Sequence, residues 1–136
     1  MATRPTQRNL ILILARDFAS RLATAVFLVD PQGTVIYYNE AAERLLGQRF
    51  VEGPGMPASE WSTKFQPSDD EGNPVTLEQI PLGAAILRKE PEHGTLWIRG
   101  LDGVRHRIEV TAFPLLAHTD ECIGAIAVFW EPAEAR

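Results

Sequence analysis

The sequence predicts an α+β fold in which a five-stranded antiparallel sheet carries short helices on one face. Two segments, Ala25–Val29 and Ile123–Trp130, are apolar at nearly every position, which is typical of strands covered on both faces. Val104–Phe113 instead alternates apolar and polar residues, the pattern of a half-buried antiparallel strand. Because two doubly covered strands belong side by side at the centre of a sheet, we expect the strand order 2-1-5-4-3.

Length and composition limit the functions open to this chain. With 136 residues, it is expected to form one domain around one core. The net charge of −5 argues against a nucleic-acid partner, which would need clustered lysines and arginines. The single cysteine, Cys122, excludes an internal disulfide and fits a reducing cytoplasm. No apolar stretch approaches the roughly 20 residues that cross a bilayer, so we expect a cytoplasmic protein without a membrane partner.

Residues 1–24 are predicted to form a tail and a helix that docks on a second copy of the chain. Met1–Asn9 is expected to be frayed, and Leu10–Thr24 has helical periodicity. Its apolar residues recur every four positions as Leu10, Leu14, Phe18 and Leu22, and Ile11 widens the stripe. One sheet covers only one side of such a helix, so a homodimer partner is the simplest cover for the rest. The alternative is that the helix packs entirely on its own domain.

Charge is distributed unevenly between this N-terminal arm and the remainder of the chain. Four arginines face one aspartate before Ala25, whereas nine basic residues face seventeen acidic ones after it. This asymmetry helps to dock the arm, although individual surface charge pairs are weak.

Ala25–Gly47 predicts a hairpin followed by a short helix. The turn residues Asp30-Pro31-Gln32-Gly33 join the first strand to Thr34–Tyr38, which is β-branched and aromatic. Asn39 is a typical N-cap residue, and Gly47 suits the left-handed position that ends a helix.

The remainder predicts one more helix and the last three strands. Gln48–Phe65 is expected to be loop with at most a helical turn or two, and Gln66–Pro74 a solvent-facing turn region. A short turn at Leu77–Ile80 precedes a helix that starts at Pro81 and runs to about Lys89, because proline suits the first helical position. Thr95–Arg99 pairs with Val104–Phe113 across an Asp-Gly turn, and Pro114–Glu121 is the next turn.

The hairpin, the Asn-capped helix and the glycine stop resemble the opening of a PAS domain, the sensor and interaction module of bacterial signalling proteins. The matching residues are Gly33, Tyr38, Asn39, Ala41, Ala42, Leu45, Leu46 and Gly47. The resemblance covers Arg16–Glu131 and implies the strand order given above. It divides the chain into an N-terminal arm (1–24), a PAS domain (25–131) and a short tail (132–136). It also implies a homodimer that drives a signalling partner or an effector domain beyond this segment.

Departures from the family's motifs bear on cofactors. Flavin photosensors of the family carry a reactive cysteine after the Asn-capped helix, where this chain has Gly47–Val51 and no cysteine. Haem-binding members use a histidine on the connecting helix, and Leu82–Lys89 has none. We therefore predict neither cofactor, and an unidentified small apolar molecule is the remaining ligand class.

A mainly apolar pocket is predicted between the sheet and its helices, with Tyr38, Trp61 and His106 as polar handles. Its candidate residues are Leu28, Tyr38, Leu46, Phe50, Met56, Trp61, Leu82, Ile86, His106, Ile108, Val110 and Ile126. The candidate dimer interface comprises Leu10, Ile11, Leu14, Phe18, Leu22, Phe27 and Phe129. A plain filled core would contain the same pocket residues, because close packing is the rule in protein interiors.

No pattern of residues points to catalysis or to a metal. His93, His106 and His118 are scattered, and no nucleotide-binding or nucleophile motif is present. We therefore predict a sensory module that homodimerises and binds a small apolar ligand, and no enzyme. The rival is an interaction module with a filled core, which predicts a binding defect when Phe27 or Phe129 becomes charged.

Overall fold

The structure, a computed structural model, describes residues 5–117 and 120–133, with side chains from Leu10 onward. The helices are α1 (Pro5–Ser20), α2 (Glu40–Leu46), α3 (Ala58–Phe65) and α4 (Pro81–Arg88), and a 3₁₀ turn spans Leu77–Gln79. The strands are β1 (Ala25–Val29), β2 (Val35–Tyr38), β3 (Glu92–Arg99), β4 (Arg105–Leu116) and β5 (Cys122–Trp130).

The sheet is antiparallel with the order β2-β1-β5-β4-β3, as the sequence predicts. The two central strands pair along their length, from Ala25 opposite Phe129 to Val29 opposite Ala125. All five residues of β1 are buried. The two apolar strands therefore lie side by side in mid-sheet, as predicted, and β1 is covered on both faces.

The N-terminal helix begins earlier and ends earlier than its apolar stripe predicts. It starts at Pro5 and ends at Ser20, so Pro5–Asn9 is helical rather than frayed. Proline suits a helix start because its missing amide would lack a partner there anyway. The end is set by a tighter last turn, in which the amides of Arg21 and Leu22 reach back only three residues.

The two faces of the sheet are covered by different elements. Helices α2, α3 and α4 lie on the inner face, and α1 lies on the outer face. Ala15 and Ala19 of α1 are buried against Val26 and Leu28, because small side chains let the helix approach the sheet closely. Leu22, which was predicted at the dimer interface, also contacts this cluster and is half-buried there.

The side chains of the central strands point the opposite way from the prediction. Phe27 and Phe129, predicted at the outer face, lie in the inner core, whereas Leu28 and Ile126, predicted in the pocket, lie under α1. A strand that is apolar at every position has no alternation, so its sequence does not indicate which residues face which side. Charging Phe27 or Phe129 is therefore expected to unfold the domain rather than to block a partner.

Some strand limits also differ from the prediction. β4 continues through Pro114, which lies opposite Ala125, to Leu116, so the predicted turn is shorter. β3 starts at Glu92 rather than Thr95, because its pairing with β4 extends to Ala112.

Loop residues cover part of each outer strand. Met56 pairs with Val35 of β2 through N···O bonds of 2.8 and 2.9 Å. Ser68 pairs with Trp97 of β3 through bonds of 2.9 and 2.8 Å. At these points the backbone groups of both edge strands are satisfied within the chain.

Within the described residues, no helix has both the length and the apolar character needed to cross a bilayer.

Candidate functional site

The cavity between the inner face of the sheet and its helices is small. Its volume is about 50 Å³, and each side chain around it is apolar or aromatic. Pockets that hold drug-sized ligands have volumes of roughly 300–1,000 Å³. With its side chains in these positions, the core is therefore nearly filled.

The structure brings together only part of the predicted pocket. Leu46, Trp61, Leu82, Ile108 and Val110 line the cavity. Sequence reasoning missed Phe27, Phe65, Pro67, Ile80, Pro81, Leu96, Ile98, Ala127 and Phe129, which also line it. The two central phenylalanines were missed because the facing of their strands was reversed.

Four other predicted pocket residues lie elsewhere on the inner side. Tyr38, Phe50 and Met56 line a separate cavity of about 220 Å³ beside the 48–56 loop. Ile86 is half-buried and packs against the core without reaching the cavity. The predicted pocket is thus split by the loop that follows α2.

Two of the predicted polar groups, the Tyr38 hydroxyl and the Trp61 indole N–H, already form hydrogen bonds within the protein. The Tyr38 hydroxyl donates to the carbonyls of Gln48 and Arg49 at 3.1 and 3.0 Å, and burial raises its pKa. The Trp61 indole N–H donates to the Gly33 carbonyl at 2.9 Å. Neither group is left to orient a ligand in the core cavity.

His106 lies outside the cavity lining, contrary to the pocket prediction. Its Nδ1 is 3.0 Å from Glu131 Oε2, and its side chain is 16% exposed. It shares the inner-face alternation with Ile108 but sits near the start of β4, opposite Ile98 of β3. His93 is exposed, with Nε2 3.6 Å from Glu109 Oε1, and His118 lies outside the described residues.

The outer side of α1 carries an exposed apolar stripe. Leu10, Ile13, Leu14 and Phe18 are 55%, 63%, 58% and 57% exposed. Three of them were predicted, and Ile11, the fourth predicted residue of this helix, is half-buried. The stripe stands opposite Ala15 and Ala19, which face the sheet.

Arg16 links α1 to the loop after α2. Its guanidinium bonds to the Glu52 carboxylate and lies 4.5 Å from the centre of the Tyr37 ring. It also lies 5.5 Å from the centre of the Phe50 ring. Cation–π contacts of this kind hold the helix in one orientation, so the stripe points consistently away from the sheet.

The family of the chain follows from its sequence as well as its fold. A family model described as the PAS fold matches residues 19–136. The chain belongs to the PAS family. PAS domains are sensory and signalling modules that generally lack catalysis.

Solved structures, two of them PAS domains by name, share this fold at low sequence identity. A PAS domain from Colwellia psychrerythraea has a TM-score of 0.65 at 20% identity, covering 90% of this chain and 97% of that one. The LOV protein of Rhodobacter sphaeroides has a TM-score of 0.68 at 15% identity, and the match covers 90% of this chain and 68% of that one. The PAS domain of nitrogen regulation protein NR(II) from Vibrio parahaemolyticus has a TM-score of 0.60 at 21% identity, and the match covers 88% of this chain and 98% of that one. No curated protein sequence matches the chain.

Across residues 5–117 and 120–133 of this PAS domain, no three His, Cys, Asp or Glu side chains are grouped as metal ligands would be.

The loop between α3 and the 3₁₀ turn is fastened to the PAS sheet by Asp70. Its Oδ1 accepts from the Trp97 indole at 2.8 Å and from Arg107 Nε at 3.3 Å. The indole hydrogen bond, followed by the bond from Arg107, holds the pKa of the Asp70 carboxyl below its ordinary value. Because the folded pKa is lowered, the ionised carboxylate stabilises the fold above the unfolded pKa, and this contribution disappears as the pH falls through the folded value.

Replacing Asp70 by asparagine therefore has an expected pH signature. At neutral pH, Asp70→Asn lowers the free energy of unfolding. The gap from wild type narrows as the pH falls below about 4, the unfolded pKa, and closes once the pH is below the lowered folded pKa, where the wild-type carboxyl is protonated too. Urea unfolding at a series of pH values measures it. Glu71→Gln, at the exposed neighbour, is the control and has no such gap. A pH-independent gap for Asp70→Asn contradicts the prediction.

Proposed function

We propose that this PAS domain is a non-catalytic cytoplasmic signalling module that homodimerises through α1 and transmits a signal to a partner or effector domain. The exposed stripe of Leu10, Ile13, Leu14 and Phe18 carries the proposal, because contiguous exposed apolar residues mark contact surfaces. The signal is a shift in dimer packing, driven by a ligand or partner with different affinity for the two arrangements.

A second copy of the chain is the occupant that the stripe favours. A helix stripe is self-complementary under two-fold symmetry, so each copy covers the same residues of the other. The arm holds four arginines against one aspartate, so two facing arms repel each other and the apolar stripe supplies the attraction between the copies. The contacts of Arg16 with Tyr37 and Glu52 hold α1, and with it the stripe, in place before a second copy binds.

Phe18→Asp is expected to convert a dimer into a folded monomer. Burying a phenylalanine contributes about 1.5–3 kcal/mol, and each dimer contains two, so the dimer affinity falls by at least about 100-fold. Sedimentation equilibrium measures the change, and circular dichroism checks the fold. Leu87→Asp is the control, because Leu87 is 67% exposed on α4, away from the stripe. A monomeric wild type, or a Phe18→Asp variant that stays dimeric, overturns the proposal.

A second candidate function is the binding of a small apolar molecule in the core. The observation that favours it is the wholly apolar lining of the inner cavity, although about 50 Å³ suits only a ligand of a few heavy atoms unless the helices move. A flavin or a haem does not fit this volume. Mass spectrometry of natively purified protein tests for a retained molecule, and a ligand-free dimer supports the filled-core interaction module instead.

A further inference from the structure

We propose that a groove outside the PAS core, lined by both polar and apolar side chains, binds a small molecule carrying one phosphate or carboxylate group. The groove lies between α3, the loop 66–78 and the ends of β3 and β4, and its volume is about 880 Å³. Sites for small molecules have volumes of this order. The groove differs from the core cavity in both chemistry and size.

Two arginines, Arg99 and Arg105, mark the oxyanion position. Arg99 and Arg105 both line the groove and lie directly opposite each other across the β3–β4 pair. Like charges opposite each other in a sheet repel. Among the described residues, neither guanidinium has a carboxylate within salt-bridge distance. An anion between them would relieve the repulsion and accept charge-assisted hydrogen bonds from both.

Arg105 is held in position before any ligand arrives. Its guanidinium lies 4.6 Å from the centre of the Trp97 ring, and Nη2 is 3.4 Å from Ser68 Oγ. The next arginine on this strand, Arg107, is already paired with Asp70 at 3.3 Å. The arrangement therefore neutralises one of three neighbouring arginines and leaves two for a ligand.

The other charges around the groove permit a single anionic group. Glu78 is the remaining charged residue among those that line it, which leaves the lining at a net charge of +1. The nearby Asp69 carboxylate is taken up by Asn73 and by the Glu71 and Asn73 amides of its own loop. One phosphate or carboxylate matches this balance, whereas a polyanion does not.

The rest of the lining is mixed and suits a ligand body with hydroxyl groups on a short hydrocarbon chain. Its hydroxyl and amide side chains are those of Ser59, Ser62, Thr63, Gln66, Ser68 and Thr76. The Ser62 and Thr63 hydroxyls already donate to backbone carbonyls of α3, so their oxygens are left as acceptors. Trp61 lines both this groove and the core cavity, so an occupant of the groove contacts a residue of the PAS core directly. The groove is therefore placed to report a polar metabolite to a domain whose own cavity is nearly filled.

Calorimetric titration at constant ionic strength tests the proposal, with glycerol 3-phosphate, inorganic phosphate and glycerate as probes. We expect saturable binding of at least one probe, and the pattern across the three separates phosphate from carboxylate recognition. The double variant Arg99→Gln/Arg105→Gln is expected to weaken binding by at least about 10-fold. Arg49→Gln, at an exposed arginine that is not among the residues lining the groove, is the control and leaves binding unchanged.

Two results overturn the inference: no saturable binding of any probe, or binding that the double variant retains in full. The outcome is independent of dimerisation, because none of the stripe residues on α1 lines the groove. Phe18→Asp should bind the same probes with unchanged affinity, so failure of the groove and failure of the dimer are distinguishable.

Discussion

Asn39→Ala is expected to lower the free energy of unfolding by about 3–5 kcal/mol, enough to unfold much of the population of a marginally stable domain. Asn39 is 1% exposed. Its Oδ1 accepts hydrogen bonds from the amides of Val26 at 3.0 Å and Ala42 at 3.1 Å. Its Nδ2 donates to the carbonyls of Ala19 at 3.0 Å and Thr24 at 2.8 Å.

The size of this effect comes from what the substitution leaves behind. With alanine at position 39, buried donors and acceptors at the end of α1, the start of β1 and the first turn of α2 lose their hydrogen-bond partners. Each unsatisfied buried group costs about 1–3 kcal/mol, and the lost helix cap alone costs about 1 kcal/mol.

Urea unfolding followed by circular dichroism measures the loss. Asn73→Ala is the matched control, because Asn73 is exposed and its side chain bonds only within its own loop. That variant should lose less than about 1 kcal/mol. A comparable loss of unfolding free energy in both variants would show that the hydrogen bonds of Asn39 do not join α1, β1 and α2 as proposed.

Gly83→Ala is expected to cost about 3 kcal/mol, the upper end of the usual range for overpacking. A Cβ at position 83 would lie 2.0 Å from the Leu77 carbonyl oxygen and 2.5 Å from its carbon. The contact is with backbone, and the 3₁₀ turn is fixed by a 2.8 Å bond from the Thr76 amide to Gln79 Oε1. Alanine's better helix propensity returns only about 1 kcal/mol, so the clash decides the sign.

Gly94→Ala is the control for this substitution. Its Cβ would meet the Pro81 ring at 3.2 Å, a side-chain contact that a small shift relieves. Chemical unfolding of both variants should give a clear difference in midpoint. If Gly83→Ala unfolds like wild type, α4 does not pack on the turn as closely as described.

The elements and their order were predictable because local signals were strong. The Asp30–Gly33 turn forms as predicted, with the Gly33 amide bonded to the Asp30 carbonyl at 3.0 Å and φ of +85° at Gly33. The left-handed stop at Gly47 and the N-cap at Asn39 also form as predicted. These features depend on the chemistry of a few adjacent residues, so no tertiary information is needed.

The facing of the central strands was not predictable from the same sequence. Phe27 and Leu28 are both apolar neighbours in β1, and only the packing of α1 against one side decides which of them enters the core. The same limit split the candidate pocket, because the path of the 48–56 loop determines that Tyr38 and Phe50 lie beside it. The groove at Arg99 and Arg105 depends on cross-strand register, which composition does not reveal.

The covered outer strands have a consequence for how far association can proceed. Met56 against β2 and Ser68 against β3 occupy backbone groups that an incoming chain would need for edge-to-edge growth. Contact through α1 alone closes on itself under two-fold symmetry. In the dimer proposed above, assembly through α1 therefore ends at a pair, and the two covered points hinder edge-to-edge growth of the sheet.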